Sequence, residues 1–176
     1  MTSAITLKVA NDTDKPVREL WQKVGLLESK PSMVSLDYPP HITFATYDDI
    51  DIGGLQETAR KVFQGQKTIS LSFDSIRHFE GDPMILWLAP ENNPALFKIH
   101  ENIHSLIDPA LCHPLYRPRA WIPHCTLGSQ IERDRQEEAL ALTRTPIEPI
   151  DVLLNVADCV TFLPVCVIEE YSLESS

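Results

Sequence analysis

Two short segments of the chain place a histidine and a threonine in the same spacing, each directly after a proline. The first reads PHIT, with His41 and Thr43, and the second reads PHCT, with His124 and Thr126. Side chains two residues apart on a β-strand point to the same face, so each imidazole would lie beside a hydroxyl. A proline favours extended backbone and gives no N–H, which suits the start of a strand. The sequence therefore predicts two strands that each present a matched His–Thr pair.

Paired imidazoles and hydroxyls suit proton transfer at a phosphodiester. One neutral imidazole can take a proton from a nucleophile while one imidazolium gives a proton to a leaving oxygen. Because the unperturbed pKa of histidine is about 6.5, both forms exist near neutral pH. The threonine hydroxyls can donate hydrogen bonds to the non-bridging oxygens, where charge accumulates. One such motif alone would more simply be a strand cap and a β-forming threonine, but its repetition at parallel places favours the chemical interpretation.

Four aromatic and basic residues in the loops before the two histidines are further candidates for binding a substrate. They are Tyr38, Arg117, Arg119 and Trp121. An aromatic ring can stack on a base, and a guanidinium can bind a phosphate through two parallel hydrogen bonds. The alternative is an ordinary loop with a packed tryptophan and solvated arginines.

The segment HENIH, from His100 to His104, is a rival candidate because it is a literal H-E-x-x-H sequence. On a helix the two histidines share a face and can bind zinc, with Glu101 as a general base. No third ligand follows at the usual spacing. The apolar stripe that begins at Leu96 also predicts that both histidines lie beside a buried face. We therefore expect no metal at this segment.

The order of predicted elements repeats along the chain. Each half reads strand, helix, proline-rich loop, Pro-His-x-Thr strand, helix and strand, with halves of about 1–80 and 81–176. The apolar stretch VLLNVADCVTFL at 152–163 predicts one long strand near the end of the second half. We expect a single α+β domain over 1–176, with two lobes related by a pseudo-twofold axis.

Composition restricts the class of partner. The 176 residues include 15 Lys and Arg against 25 Asp and Glu, for a formal net charge of −10. Proteins that bind long nucleic acids neutralise phosphates with basic side chains, so we expect no long nucleic acid partner. No apolar run is long enough to span a membrane and no signal-peptide pattern is present, so we expect a cytoplasmic protein with reduced cysteines. We also expect a monomer that does not bind a membrane.

The paired motifs resemble those of the two-histidine (2H) phosphoesterase superfamily, which includes bacterial RNA 2′,3′-cyclic phosphodiesterases once called 2′-5′ RNA ligases. The signature of that superfamily is a pair of H-x-T/S-x tetrapeptides, one in each lobe. Here they stand as HITF at 41–44 and HCTL at 124–127. The resemblance in element order covers nearly the whole chain.

The resemblance implies a bilobal α+β fold, with two antiparallel sheets flanking a central cleft and helices on the outside. It also implies that His41 and His124 act as acid and base while Thr43 and Thr126 hold the phosphate. We expect a metal-independent hydrolase, without a cofactor, acting on a 2′,3′-cyclic or 2′,5′-linked phosphodiester of a nucleotide or short RNA end. The alternatives are a module that binds a nucleotide or RNA end without turnover and a zinc hydrolase that uses HENIH.

Overall fold

The computed structural model describes residues 1–175, which form two four-stranded sheets and four α-helices. The strands are β1 Thr2–Lys8, β2 His41–Asp48, β3 Ile69–Phe79, β4 Met84–Pro90, β5 Cys125–Ile131, β6 Ile150–Leu154, β7 Val156–Phe162 and β8 Cys166–Ser172. The helices are α1 Lys15–Gly25, α2 Ile52–Phe63, α3 Pro94–Leu106 and α4 Gln136–Thr143. Among the residues described, no helix combines the length and apolarity that crossing a membrane requires.

The two sheets have the orders β2-β1-β7-β8 and β5-β4-β3-β6, and every pair of neighbouring strands is antiparallel. This confirms the predicted α+β class with two antiparallel sheets. The strands that carry the two motifs, β2 and β5, occupy equivalent edges of the two sheets. The repeat seen in the sequence is therefore a repeat of sheet position.

Each half of the chain contributes a strand to the sheet of the other half. Strand β3, from the first half, pairs with β4 in the second sheet, and β7, from the second half, pairs with β1 in the first sheet. A division at about residue 80 therefore does not separate the two sheets. The prediction of one strand over 152–163 is wrong, because β6 and β7 belong to different sheets and Asn155 separates them. The backbone N–H of Asn155 donates to Lys8 O, and its side-chain oxygen accepts from the Ala10 N–H.

Helix α1 packs on β5, in the sheet of the other half. Its buried residues Val17, Trp21 and Val24 recur at helical spacing and form one apolar face. The approach is close enough to require glycine at position 128 of β5, where an added Cβ would lie 2.6 Å from a methyl carbon of Val24. Helix and strand thus fit only with a hydrogen in that place.

The loops that precede the two motif strands also cross between the halves. The loop after α1 binds the free edge of β5, where Ser129 N–H donates to Ser32 Oγ (2.9 Å) and Gln130 N–H donates to Glu28 Oε1 (2.7 Å). The loop after α3 binds the edge of β2, where His113 N–H donates to Thr46 O (2.9 Å). These reciprocal contacts satisfy edge groups that would otherwise be unpaired, and they fix the two edges relative to each other.

Candidate functional site

The two Pro-His-x-Thr segments have the same backbone placement. His41 is the first residue of β2, and His124 directly precedes β5. In both strands the residue between histidine and threonine is buried, while the histidine and threonine are half-buried. As the spacing predicted, each imidazole and its threonine lie on the same face.

The two motifs open onto one continuous cleft. His41, Thr43 and Thr126 line a cavity of about 210 Å³, and His124 and Thr126 line a neighbouring cavity of about 460 Å³. The two cavities share Thr126, and they also share Tyr116 and Ser129. The motifs, 83 residues apart in sequence, therefore meet at Thr126.

Each imidazole is tethered in the same way. The Nδ1 atom of His41 lies 2.8 Å from Pro39 O, and the Nδ1 atom of His124 lies 2.7 Å from Ile122 O. A carbonyl oxygen can only accept, so Nδ1 of each ring carries the hydrogen and donates it. In the neutral ring Nε2 is then the atom with a free lone pair. The residue two before each histidine thus sets the tautomer that a general base requires.

Both imidazoles titrate below the ordinary range for histidine. Burial lowers the pKa of His41 to about 4, and the nearby His124 and Lys8 add to the effect, while the bond to Pro39 O opposes it. Burial also lowers the pKa of His124, against the bond to Ile122 O. Both rings are neutral at pH 7 in the unliganded protein.

A buried polar network lies behind His41. The ring of Tyr38 contacts the His41 ring edge-on, with centroids 4.9 Å apart. The Tyr38 hydroxyl donates to Asp158 Oδ2 (2.7 Å) and accepts from Thr6 Oγ1 (2.8 Å). Lys8 Nζ donates to the same Asp158 oxygen at 2.7 Å, and both side chains are buried. Tyr38, a predicted substrate-binding residue, therefore lines the cavity, but its hydroxyl is hydrogen-bonded to other protein side chains.

Aromatic rings surround His124. The centroid of its ring lies 5.1 Å from Phe79, 5.8 Å from Trp87 and 6.5 Å from Tyr116. The edge-on contacts fix the orientation of the imidazole. No spacing in the sequence indicated these rings, because they come from β3, β4 and a loop.

The other flanking candidates do not line either cavity. Trp121 is buried, its Nε1–H donates to Thr43 O (2.9 Å), and its ring stacks on His100 at 4.3 Å between centroids. Arg117 donates to the backbone oxygens of the preceding loop, and Arg119 is exposed. Of the four residues only Tyr38 remains a candidate for contact with a substrate. Trp121 instead positions the first motif.

The two histidines of the HENIH segment hold a loop. His100 Nε2 and His104 Nε2 lie 2.8 Å and 3.0 Å from the same acceptor, Tyr116 O. Both side chains are buried, together with the apolar stripe that they adjoin. Within residues 1–175 no three His, Cys, Asp or Glu side chains are grouped as metal ligands would be. The pair therefore supports the turn that brings Tyr116 to the cleft.

The chain belongs to the 2′-5′ RNA ligase superfamily, a family of 2H phosphoesterases. The model of that family matches residues 10–161, a range that contains both Pro-His-x-Thr motifs. The resemblance inferred from the two tetrapeptides is thereby confirmed. No curated protein sequence matches the chain.

Solved structures share the fold over its full length. The protein TT0787 of Thermus thermophilus is 13% identical, with a TM-score of 0.68 and 98% of each chain covered. A phosphoesterase is also 13% identical, with a TM-score of 0.64 and 97% of each chain covered. Escherichia coli LigT complexed with 3′-AMP is 14% identical, with a TM-score of 0.63, covering 98% of this chain and 99% of LigT. At such identities the likeness shows the fold alone.

Proposed function

We propose that this protein is a metal-independent phosphoesterase that hydrolyses a 2′,3′-cyclic or 2′,5′-linked phosphodiester of a nucleotide or RNA end. The observation that supports this most directly is the pair of equivalent imidazoles, His41 and His124, each tethered through Nδ1 to the carbonyl two residues before it. This arrangement leaves two Nε2 atoms for proton transfer at one cleft. Metal-bound water is not needed to supply either proton step.

In the proposed reaction one neutral imidazole takes a proton from water through Nε2 as the water oxygen bonds to phosphorus. The P–O bond to the sugar then breaks, and the other ring, as imidazolium, gives its Nε2 proton to the departing sugar oxygen. The products are a phosphomonoester and a free hydroxyl. Reversal of the reaction exchanges the two roles, because the same proton sites operate in both directions. Thr43 and Thr126 hydrogen-bond the non-bridging oxygens as their charge increases.

Substrate binding can generate the imidazolium that this mechanism requires. A phosphodiester brings a negative charge into the cleft, and a nearby anion raises the pKa of an imidazole. Substrate binding would therefore favour uptake of one proton by a pair of rings that are neutral when the cleft is empty. Two half-buried, neutral histidines can in this way form an acid and a base.

The size of the proposed substrate is supported by charge and by the relatives. The net charge of −10 disfavours a long RNA chain. Crystal structures of E. coli LigT hold 3′-AMP, ATP and NADP+, which are small nucleotides. We further propose a cytoplasmic monomer, consistent with four cysteines that are all free.

The test is a substrate panel followed by phosphorus NMR. The panel contains 2′,3′-cyclic mononucleotides, a 2′,5′-linked dinucleotide and an oligoribonucleotide that ends in a cyclic phosphate. We expect conversion of at least one member to a phosphomonoester in the presence of EDTA. Binding without any product after extended incubation would overturn the proposal in favour of a module that binds nucleotides without turnover.

A further inference from the structure

The larger of the two cavities is lined mainly by apolar and aromatic side chains. It adjoins His124, and its volume of about 460 Å³ lies within the ~300–1,000 Å³ typical of small-molecule sites. The large apolar and aromatic side chains that line it are Phe79, Ile85, Leu115, Tyr116 and Ile122. Two of them are exposed, since Leu115 has 68% and Ile122 has 48% of its surface accessible. Such a surface next to a reactive histidine is suited to a substrate group that is itself apolar or aromatic.

Positive charge is absent from the lining of this part of the cleft. Among the described residues, no lysine or arginine lines either of the two cavities that contain the motifs, and Glu80 is the one carboxylate there. Of the cations elsewhere in the fold, Lys8 pairs with Asp158 and Arg117 donates to loop carbonyls. A chain of nucleotides carries a phosphate at every step, and each needs a compensating charge. An imidazolium can compensate the reacting phosphodiester, but neither of these two cavities has a lysine or arginine in its lining for a second phosphate.

We propose, on the basis of the function proposed above, that this cavity binds the uncharged base of a substrate that carries a single phosphodiester. The Phe79 ring contacts both His124 and Trp87, so the aromatic wall is continuous with the acid–base site. A base held against this wall would leave the ribose and its cyclic phosphate between the two imidazoles. The preferred substrate class is then a cyclic mononucleotide rather than the end of an RNA chain.

Leu115 provides a clean test because it is exposed and lies in a loop, so its replacement should leave the fold intact. The variant Leu115→Ser is compared with Leu111→Ser, a matched control whose side chain is also exposed but lines neither cavity. Two substrates are used: a nucleoside 2′,3′-cyclic phosphate and the methyl riboside 2,3-cyclic phosphate, which has the same ring and no base. We expect Leu115→Ser to raise KM for the nucleoside substrate about tenfold with kcat unchanged. KM for the riboside should not change, and Leu111→Ser should match the wild type on both.

A second measurement compares the cyclic mononucleotide with an oligoribonucleotide ending in the same cyclic phosphate. The inference predicts that kcat/KM for the oligomer does not exceed that for the mononucleotide and does not fall more steeply with salt. Preference for the oligomer with a steep salt dependence would overturn the inference, and so would equal effects of Leu115→Ser on both small substrates. Absence of turnover of every substrate by the wild type would instead contradict the proposed function itself.

Discussion

The indole Nε1–H of Trp121 donates a hydrogen bond to Thr43 O at 2.9 Å, which joins the loop before the second motif to the strand of the first. The reciprocal contact is made by Trp21 on α1, whose Nε1–H donates to Thr126 O at the same distance. Each phosphate-binding threonine of our proposal is therefore held at its backbone by a tryptophan from elsewhere in the fold. The two bonds couple the geometry of the two motifs.

Replacing Trp121 by phenylalanine should weaken both the fold and the proposed activity. The change removes the donor to Thr43 O but keeps an aromatic ring against His100. We expect the free energy of unfolding to fall by about 1 kcal/mol beyond the packing loss, and kcat to fall because Thr43 is less fixed. Urea denaturation and steady-state kinetics measure the two effects. Trp87→Phe is the control for stability, because Trp87 is buried and its Nε1 has no hydrogen-bond partner among the described residues. If Trp87→Phe lowered the free energy of unfolding as much as Trp121→Phe, the role of the hydrogen bond to Thr43 O would be contradicted.

The pH dependence of kcat/KM should have its maximum on the acid side of the ordinary histidine pKa of about 6.5. The form of the unliganded protein that can catalyse the reaction carries one proton on the pair of imidazoles. The maximum of kcat/KM therefore lies between the two apparent pKa values of the pair. Burial lowers the pKa of His41 to about 4 and also lowers that of His124. The singly protonated form is therefore lost as the pH rises towards 7. Initial rates at low substrate concentration test this, and a bell centred at or above pH 7 would contradict it.

The buried ion pair behind His41 should be essential for stability. Lys8→Met leaves Asp158 without its cation in a site where burial already raises the pKa of the carboxyl. Removing one partner of a buried pair costs about 3–5 kcal/mol, so we expect a loss of that order in urea denaturation. Adding Asp158→Asn should recover part of the loss. The matched surface control is Lys61→Met, which breaks an exposed pair with Glu57 and should change the free energy of unfolding far less. Equal costs at the two sites would refute this role for the network.

Chelation should leave the proposed activity intact. His100 Nε2 and His104 Nε2 both hydrogen-bond to Tyr116 O, so the two histidines of the HENIH segment have a structural role in holding that loop. We expect the hydrolysis rate after dialysis against EDTA to equal that of the untreated protein. Loss of activity on dialysis, with recovery on addition of zinc, would transfer the catalytic role to that segment.

The local part of the site could be predicted from the sequence. The i, i+2 spacing in PHIT and PHCT requires a shared face on any strand, whatever the rest of the fold does. The α+β class also followed from local periodicity. The tether of each Nδ1 to the carbonyl two residues earlier is equally local, and the repeated proline before each histidine was the available signal for it.

The long-range part of the site could not be predicted in this way. Lys8 and Asp158 are 150 residues apart, and their pairing depends on β7 crossing to the first sheet. The one signal was a lone aspartate in the apolar strand VADCVTF. Trp121 was predicted to contact a substrate, but it is instead buried against α3 and donates a hydrogen bond to Thr43 O. Contacts of this kind depend on how the elements assemble, which local patterns do not encode.

The most direct test of the central claim is the rate of cyclic mononucleotide hydrolysis by His41→Ala and His124→Ala, each verified as folded by its urea transition. Our account predicts that kcat falls by roughly 10²–10⁴ in each variant, because each removes one proton-transfer group from the same reaction. Turnover at the wild-type rate by either folded variant would contradict it.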